Sequence, residues 1–85
     1  MKLSAEQVLL MREALEGRPP SLLRLAERVG GGEVVSDADA GRLVSALADV
    51  MIEREYDEDL GLTRRGVEID DVIGILQQMS EGFYR

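Results

Sequence analysis

Ser36-Asp37-Ala38-Asp39-Ala40-Gly41-Arg42-Leu43-Val44-Ser45-Ala46-Leu47-Ala48-Asp49-Val50-Met51 is the stretch that decides the fold class. Ala40, Leu43, Val44, Leu47, Val50 and Met51 recur at the three-and-four spacing of one helical face, so the segment reads as a helix with a buried stripe. Ser36 stands just before the periodic run and Asp39 three residues after it. This is the arrangement of an N-cap with a shortened capping box. Beyond Met51 the stripe degrades, because Arg54 would enter the apolar arc and Ile52 would leave it. The helix is therefore expected to end near Glu53 to Glu55. The alternation of Ile52-Glu53-Arg54-Glu55-Tyr56 leaves a short strand as the other reading of that stretch.

Working outward, the same start signature occurs at two other places. An apolar residue precedes a Ser or Thr, and another follows four positions after the cap, in Leu3-Ser4 with Val8, Val35-Ser36 with Ala40, and Leu62-Thr63 with Val67. Each pair sits where a hydrophobic staple forms. Gln7 completes a capping box with Ser4, whereas the third start has Gly66 at the equivalent position. A first helix is expected from Ala5 to Glu16, ended by Gly17 and Arg18-Pro19-Pro20, since proline lacks a donor and restricts its predecessor. Its Val8, Leu9, Leu10, Met11, Ala14 and Leu15 cover most of the cylinder. Such a helix is either central in the fold or shared with a second copy.

A second helix is expected over Ser21 to Val29, with Leu22, Leu25, Ala26 and Val29 on one side, stopped by Gly30-Gly31-Gly32. The triple glycine follows a helix and has no Lys-Ser/Thr partner, so it reads as a flexible connector and not as a phosphate-binding loop. A fourth helix follows Thr63 and places Ile69, Val72, Ile73, Leu76 and Met79 on one face. Gly66 and Gly74 within it each cost about 1 kcal/mol against alanine, which invites close packing as the reason. The tail from Ser80 to Arg85 is expected to fray after Gly82, with Phe83 and Tyr84 folding back or serving as contacts.

Eighty-five residues with 45% hydrophobic content, one Phe, two Tyr and no Trp imply an aliphatic core. A chain of this length buries only roughly 60 to 65% of its unfolded surface, so residues 1–85 are expected to form a single helical domain. No apolar run approaches the roughly 18 residues of a membrane span, and the start of the chain turns polar too early for a signal peptide. A soluble cytoplasmic protein is the expectation. The net charge is −7, and residues 49–85 carry ten acids against four bases, or −6 of that total. Such a field attracts basic partners and repels nucleic acid and anionic lipid.

Cysteine and histidine are both absent, which removes thiolate chemistry and the commonest general base and transition-metal ligand. Serines 4, 21, 36, 45 and 80 have no base to activate them, and two are already caps. Carboxylates remain, densest at Glu53, Glu55, Asp57, Glu58 and Asp59. Read as a helix–loop–helix calcium loop, Asp57, Asp59 and Glu68 fall at positions 1, 3 and 12. Leu62 then occupies the turn-glycine position and Arg64 and Arg65 lie inside the loop, so the pattern fails. No catalytic residue, metal ligand or cofactor is expected.

Leu25-Ala26-Glu27-Arg28-Val29-Gly30 followed by a capped helix, then Ile52-Glu53-Arg54-Glu55-Tyr56 and Leu62-Thr63-Arg64-Arg65-Gly66, together resemble the winged-helix DNA-binding domains of bacterial regulators over most of the chain after residue 20. The resemblance implies a helix–turn–helix, a two-stranded wing and a Leu-Thr-x-x-Gly entry to another helix. It also implies that the capped helix enters the major groove, although that helix opens with Asp37 and Asp39 and later carries Asp49. The wing would be Tyr56-Asp57-Glu58-Asp59-Leu60-Gly61. Phosphate contacts need Lys or Arg, and only Arg24, Arg28 and Arg42 offset these acids.

The expected fold is therefore all-α, a compact four-helix domain, with a winged-helix-like α+β arrangement and a hairpin at about 51–63 as the alternative. The expected function is non-catalytic binding of a basic protein through Glu53, Glu55, Asp57, Glu58, Asp59, Asp70 and Asp71, of immunity, antitoxin, inhibitor or adaptor type. A transcriptional regulator is the alternative. A homodimer through the first helix or the Phe83-Tyr84 tail is a further expectation.

Overall fold

The computed structural model describes residues 3–79. Four helices, α1 (Ala5–Ala14), α2 (Pro20–Gly30), α3 (Asp37–Arg54) and α4 (Arg64–Met79), are joined by a small hairpin between the last two, β1 (Tyr56–Asp57) and β2 (Gly61–Leu62). The fold is all-α, and the hairpin of the alternative reading is present with two residues in each strand.

The three helix starts carry the expected caps. Gln7 donates its backbone N–H to Ser4 Oγ at 3.1 Å and its side-chain Oε1 accepts from the Ser4 N–H at 2.9 Å, satisfying two otherwise orphaned donors. Ser36 Oγ accepts from Asp39 N at 3.2 Å and Thr63 Oγ1 from Gly66 N at 3.1 Å. The fourth start, α2, has no side-chain cap and instead places Pro20 at its first position, where a missing N–H costs nothing.

The helices bury one aliphatic core. Met11, Leu15, Val29, Leu43, Leu47, Ile69, Val72 and Leu76 are its largest fully buried members. α3 and α4 form the most extensive helix pair, and α1 touches each of the other three helices. That contact with all three partners buries Leu10, Met11, Ala14 and Leu15 and leaves Leu9 exposed. The radius of gyration, 12.3 Å, is near the roughly 12 Å of a compact chain of this length.

Three expectations need correction. α1 stops at Ala14 with Leu15 as its C-cap, two residues short of Glu16, and Gly17 turns the chain away at φ +83. The triple glycine is not a loose connector: Gly31 and Gly32 donate back to the end of α2, Glu33 N donates to Arg28 O at 3.1 Å, and a Cβ on Gly30 would meet Val8 Cγ1 at 3.0 Å. Close packing explains Gly66 but not Gly74, where an added Cβ meets nothing within 4 Å. Phe83 and Tyr84, with the rest of the tail from Ser80, lie outside the described residues.

Candidate protein-binding surface at the hairpin

The hairpin exists because the end of α3 and the start of α4 are tied together at its base. Thr63 N donates to Glu55 O at 2.8 Å, and Thr63 Oγ1 donates to Glu55 Oε2 at 2.6 Å. Within the turn, Asp57 Oδ1 accepts from both Asp59 N (2.8 Å) and Leu60 N (3.0 Å), an Asx turn that satisfies backbone donors where no ladder can. Gly61 closes it at φ +81, a conformation that costs other residues strain.

The seven acids expected to form the surface fall into three environments. Glu53 is engaged by Arg18 at 2.7 Å, and Glu55 by Thr63 and by Arg65 at 3.7 Å. Asp57, Glu58 and Asp59 are exposed at the hairpin, and among the described residues no cation reaches them within ion-pair distance. Asp70 and Asp71 are exposed on α4, roughly 10 Å along its axis from the hairpin end. Asp71 joins Glu68, Ser4, Glu6, Gln7 and Leu10 around a hollow of about 380 Å³ at the start of α1. The structure thus brings three of the seven together at the hairpin turn and sets two others among arginines.

Apolar side chains are exposed at the same end of the molecule, and of these the helical spacing points only to Ile52. Of the exposed large hydrophobic residues, Ile52, Tyr56, Leu60, Leu62 and Val67 all lie in this short region, and only Leu9 and Val34 lie elsewhere among the described residues. For Leu62 and Val67 the staple pattern hid the exposure, since a staple implies burial. At the first two helix starts Leu3 and Val35 are indeed buried, with 4% and 2% of their surface exposed. At the third, Leu62 is 36% and Val67 49% exposed.

Two of the three arginines that would face nucleic acid, Arg28 and Arg42, are occupied. Arg28 Nε donates to Glu33 Oε2 at 2.6 Å, which together with the charge of Glu33 raises the pKa of Arg28. Arg42 donates to Ser21 Oγ at 3.0 Å and lies 3.8 Å from Asp39. Among the described residues no group of three or more acidic side chains is placed to hold a metal ion, and no helix is long and apolar enough to cross a membrane. No family model, curated protein or solved structure matches the chain.

Proposed function

We propose that the chain is a small non-catalytic protein-binding module, acting in the cytoplasm, that holds a basic partner through the acidic surface built from Glu53, Glu55, Asp57, Glu58, Asp59, Asp70 and Asp71. The observation that carries this reading is the hairpin turn. Asp57, Glu58 and Asp59 are consecutive, exposed and without a cation in ion-pair reach among the described residues, while Arg64 pairs with Glu68 and Arg65 with Glu13 and Glu55. Such uncompensated charge steers encounter with a basic surface. The test is affinity capture from the native organism with the full chain and with the triple variant Asp57→Asn, Glu58→Gln, Asp59→Asn. A basic protein retained by the native chain and lost from the variant is expected. The same protein binding the variant unchanged at low salt would overturn the reading.

A second reading, a winged-helix-like regulator, is favoured by the order of α2, α3, hairpin and α4. The acids at the start of α3 and the occupied Arg28 and Arg42 weigh against it, because phosphate contacts require free cations. Duplex DNA bound by the native chain with a steep salt dependence would favour it over protein binding.

A further inference from the structure

The apolar residues at the hairpin form a strip with a defined order. Tyr56 and Leu62 are directly opposed in the antiparallel register, so their side chains share one face of the hairpin. Leu62 leans on the first turn of α4, its Cδ2 3.2 Å from where a Cβ on Gly66 would stand, and Val67 follows Gly66 at the other staple position. All three are exposed, Tyr56 by 55%, whereas Leu3 and Val35, at the equivalent place in the other two staples, are core residues. The same local motif, repeated in one molecule, is therefore covered twice by the fold and left open once. Leu60, 86% exposed at the turn, continues the apolar character into the acidic stretch.

We propose that the Tyr56–Leu62–Val67 strip is a docking surface for a protein segment that presents apolar side chains between lysines or arginines. This rests on the acidic-surface reading above and adds what fills the centre of the contact. Charge complementarity selects the occupant. A second copy meeting this strip about a two-fold axis that passes near the turn would bring the Asp57, Glu58 and Asp59 clusters of the two copies close together, an arrangement of like charges that disfavours association. Nucleic acid would bring its phosphates against the same acids, a like-charge contact. A basic amphipathic segment satisfies both strip and turn: its apolar side chains cover Tyr56, Leu62 and Val67, and its cations lie over the turn. Interfaces of this kind have a dry apolar centre and a polar rim.

The test uses the full chain labelled with nitrogen-15 and two synthetic peptides of equal positive charge, one alternating lysine with leucine and one in which serine replaces each leucine. The lysine–leucine peptide is expected to bind at least tenfold more tightly and to shift the amides of residues 56–62 and Val67. Val67→Ser, and separately Tyr56→Ser, should bring its affinity down to that of the lysine–serine peptide. The triple acid-neutralised variant should weaken both peptides. Equal affinity of the two peptides would overturn the docking strip and leave the acidic-surface reading standing. No binding of either peptide at low salt would overturn both. Concentration-dependent shifts of Tyr56, Leu62 and Val67 without peptide would show that a second copy covers the strip, and would overturn the proposal.

Discussion

A Cβ on Gly66 would lie 2.9 Å from the carbonyl oxygen of Glu55. That oxygen is held by Thr63 N at 2.8 Å, so it has little room to withdraw. Gly66→Ala should therefore destabilise the protein by up to about 2 kcal/mol net, because overpacking at about 1–3 kcal/mol outweighs the roughly 1 kcal/mol that alanine gains in helix propensity. Urea denaturation measures the balance. An unchanged or raised midpoint would mean that α4 does not approach α3 this closely.

Gly74 gives the opposite sign in the same helix. An alanine methyl there meets nothing within 4 Å, leaving only the gain in propensity and the smaller entropy of the unfolded chain. Gly74→Ala should stabilise by about 0.5–1 kcal/mol. A loss of stability would indicate that something packs on this face of α4.

The contrast marks where sequence reasoning reached and where it stopped. The period of Ala40 to Met51 and the caps at Ser4, Ser36 and Thr63 were legible, because helix spacing and capping are local and repeat with fixed offsets. The difference between Gly66 and Gly74 was not, since it depends on Glu55 arriving from another element. The site behaved in the same way. The acids of the hairpin turn were visible as composition, but the arginines engaging Glu53 and Glu55 come from as far away as Arg18 in sequence. The open staple at Leu62 and Val67 has the same pattern as the two closed ones, and only the tertiary fold distinguishes them.

The caps can be ranked. Ser36→Ala removes one side-chain acceptor from the start of α3 and should cost about 1 kcal/mol. Thr63→Ala removes an acceptor from Gly66 N and also a donor to Glu55, so it should cost more, about 1–2 kcal/mol. Thr63→Ser keeps both groups and should recover most of the loss. Equal effects of Thr63→Ala and Ser36→Ala would show that the Glu55 bond adds nothing.

The Arg18–Glu53 contact, 2.7 Å long, joins the α1–α2 connection to the end of α3, and both side chains are partly exposed. A double-mutant cycle with Arg18→Met and Glu53→Gln should give a coupling below about 1 kcal/mol, falling further at 1 M salt. A larger, salt-insensitive coupling would mean that the pair is shielded from solvent.

The acidic turn and the apolar strip should separate kinetically. Charges act over a Debye length of about 10 Å at 0.1 M salt and about 3 Å at 1 M, and so govern encounter. Apolar side chains act only after contact and govern departure. For the physiological partner, neutralising Asp57, Glu58 and Asp59 together should lower the association rate and flatten its dependence on salt, with little change in dissociation. Asn at position 57 keeps the carbonyl-type oxygen that accepts from Asp59 N and Leu60 N, so the turn should survive the change. Val67→Ser should do the reverse, raising the dissociation rate several-fold while leaving the salt dependence of association intact. Stopped-flow or surface-based kinetics at several salt concentrations distinguishes the two. If the triple variant associates as fast as the native chain at low salt, the acids of the turn do not steer the partner, and the acidic surface is solvated decoration.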